Sequence, residues 1–123
     1  MTNAEFAEYF KNRTKKFGLN IIKSFQKLPK TEEARTIGKQ LLRSATSTAA
    51  NYRAVCRARS DAEFFSKLSI VVEEADESVF WLEILLESEI VIASEISNTK
   101  SLLKEANEIL SVVASSRKTM RNG

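Results

Sequence analysis

The residues with the clearest chemical potential are cations. Arg35, Lys39, Arg43, Arg53 and Arg57 recur at intervals that a helix of 3.6 residues per turn gathers into an arc of roughly 80°. Arg59 continues the row beyond it. Guanidinium groups are planar, permanently charged and able to grip phosphate oxygens two at a time, so an Arg-dominated row suits phosphate recognition. The same residues also describe an ordinary solvated helix face. A second set is acidic: Glu73 with Glu77, and Glu83 with Glu87, stand one helical turn apart, the spacing at which two carboxylates bridge a cation. With no complementary acids on the other helices, a solvated acidic face is the expectation there, and no metal site.

The chain has no histidine. That removes Ser-His-Asp and Cys-His catalysis, the Glu-x-x-His pairs of di-iron bundles and His-based zinc sites. There is also no Gly-rich phosphate loop and no nucleophile with a base beside it, so a non-enzymatic protein without cofactor or small-molecule substrate is expected. Cys56 has no second cysteine to pair with. Lying near a helix end on the apolar side, it is expected to be a small buried hydrophobe. Residues 1–7 lack a basic head followed by an apolar run and a small-residue cleavage site, and no window reaches 18 uncharged apolar residues. Both point to a cytoplasmic protein that does not span a membrane.

These residues need elements to carry them, and the 123-residue chain, with 3 Gly and 1 Pro, lacks the corner residues of a sandwich or barrel. Apolar residues recur every three or four positions and predict four helices in one domain spanning 1–123. The first, 2–28, carries Phe6, Phe10, Phe17, Ile21, Phe25 and Leu28 and ends before Pro29. The second, 32–57, starts at an N-cap Thr31 followed by Glu32 and Glu33 and carries an apolar face of Ile37, Leu41, Ala45, Ala49, Tyr52 and Val55. The third, 61–89, begins with a Ser60/Glu63 capping box and carries Phe64, Leu68, Val71, Ala75, Val79, Leu82 and Leu86. The fourth, 94–121, carries Ile96, Thr99, Leu103, Ala106, Leu110 and Val113, and fraying is expected from Ser115. Connections this short force an antiparallel up-down-up-down four-helix bundle, all-α.

Charge is segregated along this framework. Residues 1–60 hold 13 Lys or Arg against 4 acids, residues 61–99 hold 1 against 10, and residues 100–123 hold 5 against 2. The acids of the third helix could therefore face the Arg row of a neighbouring subunit, in competition with phosphates. Besides its apolar and basic faces, the second helix has an uncharged line, Gln40, Ser44, Ser47 and Asn51, at heptad-like intervals. Such a line of hydrogen-bonding groups specifies register at an oligomer seam. Trp81, beside Phe80 and Leu82, makes an apolar patch wider than one core stripe, leaving it either in the core or at a subunit interface.

The run Gly38-Lys39-Gln40-Leu41-Leu42-Arg43-Ser44-Ala45, with Ser47, Asn51 and the Arg57-Ala58-Arg59-Ser60 turn, resembles the bacterial four-helix bundle proteins related to the 23S rRNA intervening-sequence protein. So do Glu77, the Phe80-Trp81-Leu82-Glu83-Ile84-Leu85 segment and the stretch from Leu103-Lys104-Glu105-Ala106 to Ile109-Leu110. The resemblance implies a ring-like homopentamer, in a family that includes proteins encoded within rRNA intervening sequences. A similar bundle serves as the accessory variability determinant of diversity-generating retroelements, where it engages nucleic acid. Where the commoner pattern reads Asn-Ile-Ala-Glu-Gly, this chain has Asn51-Tyr52-Arg53-Ala54-Val55, losing an acid and gaining a cation.

Two functions follow as expectations. One is an oligomer that binds RNA or DNA by shape and charge through Arg35, Lys39, Arg43, Arg53, Arg57 and Arg59, with Gln40, Ser44, Ser47, Asn51 and Trp81 at subunit contacts. The other is a scaffolding homo-oligomer with a protein partner and no nucleic acid. They differ in where the Arg row points.

Overall fold

The computed structural model describes residues 1–122. Among them are four α-helices and no strand: α1 (Asn3–Gln26), α2 (Glu32–Val55), α3 (Asp61–Glu87) and α4 (Ile96–Asn122), with one 3-10 turn, Ala93–Glu95, before α4. Each helix packs on its neighbours in the chain, α2 on α3 most extensively, and α1 closes on α4 through the smallest contact. This is the expected antiparallel bundle. No helix among the described residues is long and apolar enough to cross a membrane.

The helix boundaries have local causes. At the start of α1, Thr2 accepts from the Glu5 backbone while Glu5 accepts from the Thr2 backbone, a full capping box, which satisfies two otherwise orphan N–H groups. Thr31 and Ser60 cap α2 and α3 through their side chains, but the expected Ser60/Glu63 box is only half formed, because the Glu63 carboxylate turns to the Arg59 backbone N–H at 3.5 Å. Three ends fall earlier than periodicity predicts. The amides of Lys27 and Leu28 turn back to Ser24 and Phe25, and those of Arg57 and Ala58 to Ala54 and Val55, tightening the chain into i to i+3 turns. Helix α3 stops at Glu87 because Glu89 adopts a φ of 60°, the left-handed conformation that terminates helices. Helix α4, by contrast, continues through Ser115 to Asn122, its last turns lying beside Asp61 and Phe64 of α3.

Phe10, Phe17, Ile21, Leu41, Ala45, Leu68, Val71, Leu82, Ala106 and Val113 form the core, as their spacing predicts. Fully burying each of the larger side chains contributes roughly 1.5–3 kcal/mol. Some expectations shift by one position: Leu85 is buried in place of Leu86, and Leu102 and Ile109 join the core while Leu103 and Leu110 lie half-buried at its edge. Phe6, 36% exposed, lies outside it and stacks on Phe10.

The core also contains hydroxyls. Ser44, Thr48, Ser78, Thr14 and Thr99 are almost wholly buried. Ser78 donates to Ser44 across the α2–α3 contact at 2.9 Å, while Ser44 donates to its own Leu41 carbonyl. Among the described residues no buried side-chain nitrogen or oxygen lacks a partner, so this layer carries no unpaired desolvated group.

Two helical glycines separate packing from propensity. A Cβ at Gly18 would meet Ala45 and Thr46 at 3.8 Å, an ordinary contact, whereas one at Gly38 would lie 2.7 Å from Leu28 and 2.9 Å from the Phe25 ring. Gly18→Ala should therefore raise stability by up to ~1 kcal/mol through helix propensity. Gly38→Ala should lower it by about 1–2 kcal/mol because it displaces two packed side chains. Urea denaturation of the two variants checks the opposite signs.

Candidate nucleic-acid interface

Helix α2 is held by both neighbours. Ala34, Gly38, Leu41, Ala45, Thr48, Tyr52 and Val55 are buried, and this packing fixes the rotation of every other side chain on the helix. The basic row consequently points outward: Arg35, Lys39, Arg43, Arg53 and Arg57 are all exposed. Arg59, in the α2–α3 turn, has a side chain 91% exposed and only a long contact of 3.9 Å to Glu63.

Arg43 differs from the rest. One guanidinium nitrogen donates to Glu74 at 2.8 Å and the other to Glu77, both on α3 of the same chain. Glu77 also accepts the Trp81 indole N–H at 3.2 Å. Hydrogen bonding from Arg43, supplemented by Trp81, holds the Glu77 carboxyl below its ordinary range against the opposing effect of burial. Arg43 thus ties α2 to α3 and is a structural member of the row. It also engages two of the acids that sequence alone could assign to a neighbouring subunit's Arg row.

Among the described residues, Arg35, Lys39, Arg53 and Arg57 make no ion pair. Arg35 and Arg53 lie about 27 Å apart along the helix, so the row is a track and not a pocket. Its C-terminal half borders α1. There Arg53 lines a cleft of about 420 Å³ with Lys11, Asn12 and Lys15, floored by Ala49 and Ala50. Glu8 is the acid in it, 3.0 Å from Lys11. The two lysines stand one turn apart on α1, but only the pairing of α1 with α2 sets them opposite Arg53, so the row on α2 did not by itself reveal them.

The uncharged line divides. Ser44 is buried within the subunit against Ser78 and cannot reach a partner chain, which corrects its assignment to an oligomer seam. Gln40 is exposed, and Ser47 and Asn51 are half-buried. Asn51 turns its amide back onto the Ser47 carbonyl and hydroxyl, both at 2.9 Å. Trp81 is half-buried at the α2–α3 border, and Phe80, 48% exposed, meets it edge-on with ring centres 4.8 Å apart. Cys56 is exposed, not buried as expected: the helix ends at Val55, and Tyr52 and Val55 take the inward positions. Burial of its surroundings still pushes the Cys56 thiol up from its ordinary value, so it is not an activated nucleophile. Among the described residues no group of three or more His, Cys, Asp or Glu could hold a metal ion.

The sequence profile of the 23S rRNA-intervening sequence protein family matches residues 10–112. A solved structure from Bacteroides thetaiotaomicron, a protein of unknown function from the S23 ribosomal protein family, superposes with a TM-score of 0.79 at 30% identity. The match covers 91% of this chain and 97% of that one. A search of curated proteins found no match.

The Arg43 tie has a pH signature. A carboxyl whose folded-state pKa is depressed contributes stability above its unfolded value, and that contribution is lost as pH falls through the folded value. Arg43→Met should cost about 1 kcal/mol at neutral pH, as expected for a half-exposed fork. The gap to wild type should close as pH falls below 4.5, the ordinary value for Glu77. Denaturation curves at pH 7 and pH 3.5, followed by Trp81 emission, measure it; a gap unchanged at pH 3.5 would contradict the assignment.

Proposed function

The chain belongs to the 23S rRNA-intervening sequence protein family, and from that premise we propose that it is a non-enzymatic, oligomeric bundle that binds nucleic acid, RNA in the first place, by shape and charge. The observation that carries this reading is the outward track of Arg35, Lys39, Arg53 and Arg57, extended by Arg59, which the fold leaves without strong carboxylate partners. Guanidinium groups kept free of internal partners at this density retain their bidentate donors for phosphate. The track holds no aromatic side chain on which bases could stack, and its cations suit phosphate oxygens, so on this reading it contacts the backbone and does not read sequence.

The oligomeric part of the reading rests on a different surface. Phe80 and Trp81 form an apolar ledge on α3, and on α2 Gln40 is exposed while Ser47 and Asn51 are half-buried, a combination suited to contact between subunits. The pentamer implied by the family resemblance would use this ledge. The same ledge supports the scaffolding alternative, in which a protein partner replaces nucleic acid.

Fluorescence anisotropy with a labelled single-stranded RNA tests the binding. Five neutralised phosphates predict a log–log salt slope of about −3.5, and two unrelated sequences of equal length should bind alike. Arg53→Glu with Arg57→Glu should weaken binding by more than about tenfold at 0.15 M salt. Binding that is absent or indifferent to salt would falsify the reading. Light scattering should show Phe80→Asp with Trp81→Asp reducing the particle mass; an unchanged mass places the subunit contact elsewhere.

A further inference from the structure

We infer that the cleft between α1 and the C-terminal half of α2 is the principal phosphate seat of the protein, and that Lys11 and Lys15 of α1 bind the sugar-phosphate backbone together with Arg53 and Arg57. The inference rests on the nucleic-acid reading above and deepens it by moving half of the site onto a different helix.

Three features distinguish this place from the rest of the track. It is concave: the small side chains of Ala49 and Ala50 leave a cleft of about 420 Å³ between the two helices. An adjoining hollow of about 350 Å³, lined by Ala4, Ala7, Cys56 and Arg57, shares Glu8, Lys11 and Arg53 with it, so the two form one trough. Arg35 and Lys39 line neither of these two hollows. Second, the trough presents cations from both walls, Lys11 and Lys15 on one and Arg53 and Arg57 on the other, with Asn12 as an added hydrogen-bond donor. Charges converging on a concave site focus the field on an anion more strongly than the same charges along a convex ridge. Third, the cations on each wall are four residues apart, a rise of about 6 Å, so both walls can follow successive phosphates.

Glu8 sharpens the argument. Its carboxylate lies 3.0 Å from Lys11 inside the trough, where an approaching phosphate must displace or repel it. Removing that charge should therefore tighten binding, the opposite sign to removing either lysine.

Full-length protein and a labelled single-stranded RNA suffice for the test, with circular dichroism to check the fold of each variant. Lys11→Gln with Lys15→Gln should reduce the magnitude of the salt slope by about 1.4 and weaken binding about fifteen-fold at 0.15 M salt. Glu8→Gln should strengthen it. Lys100→Gln with Lys104→Gln, an equal change of net charge on α4 away from the trough, should leave affinity within about twofold. If the α4 pair weakens binding as much as the α1 pair, net charge and not the trough is responsible, and the inference fails. It fails as well, with the nucleic-acid reading intact, if Arg53→Glu with Arg57→Glu abolishes binding while the α1 pair leaves it unchanged. Competition by poly-glutamate as effective as by RNA of equal charge would overturn the phosphate assignment. No RNA binding by the wild type would remove both readings together.

Discussion

The surface of this protein depends on how α2 is rotated against α3. That rotation is set where the two helices meet, by the burial of Leu41, Ala45, Thr48 and Tyr52 and by the hydroxyl contact of Ser44 with Ser78. An apolar contact tolerates some sliding, because dispersion and hydrophobic burial have little directionality. A hydrogen bond is directional, so the Ser44–Ser78 contact favours one setting of the two helices, while each hydroxyl also has a carbonyl of its own helix within reach, Leu41 for Ser44 and Glu74 for Ser78. Because side chains on a helix are separated by fixed angles, pinning Ser44 inward also fixes the outward direction of Arg35, Lys39, Arg53 and Arg57.

The segregated charge is handled differently at different places. Where α2 borders α3, opposite charges meet in the same chain, and Arg43 is engaged by Glu74 and Glu77. Where α2 borders α1, both helices are basic and the charges remain uncompensated except by Glu8. Like charges facing each other across a cleft destabilise the fold unless an anion or solvent screens them.

The contact between α1 and α4, the smallest of the bundle, is reinforced by polar groups. Arg13 grips Glu105 with two hydrogen bonds, at 2.8 and 2.6 Å, and reaches Glu108 at 3.5 Å. Glu105 raises the already high proton affinity of the guanidinium. Lys27 and Glu95 add a tie between the turns at one end. Ion pairs thus reinforce the α1–α4 seam, whereas the α2–α3 seam combines apolar and hydroxyl packing with the Arg43 tie.

The sequence by itself determined the number of helices, the N-caps of α2 and α3 and most of the core, because three- and four-residue periodicity, Thr31, Ser60 and Pro29 act over one or two turns. It also determined the outward basic row, since angular spacing along one helix needs no knowledge of neighbours. Several features were decided only by tertiary structure. Ser44 faces inward because Ser78 lies opposite it, and Arg43 is occupied because Glu74 and Glu77 come within its reach. Cys56 is exposed because Tyr52 and Val55 take the inward positions at the end of α2. Lys11 and Lys15 join the basic row because α1 packs antiparallel beside α2. Except for Cys56, whose exposure follows from where its own helix stops, each of these depends on a residue distant in the chain, and periodicity reports which face a side chain occupies, not what stands across from it.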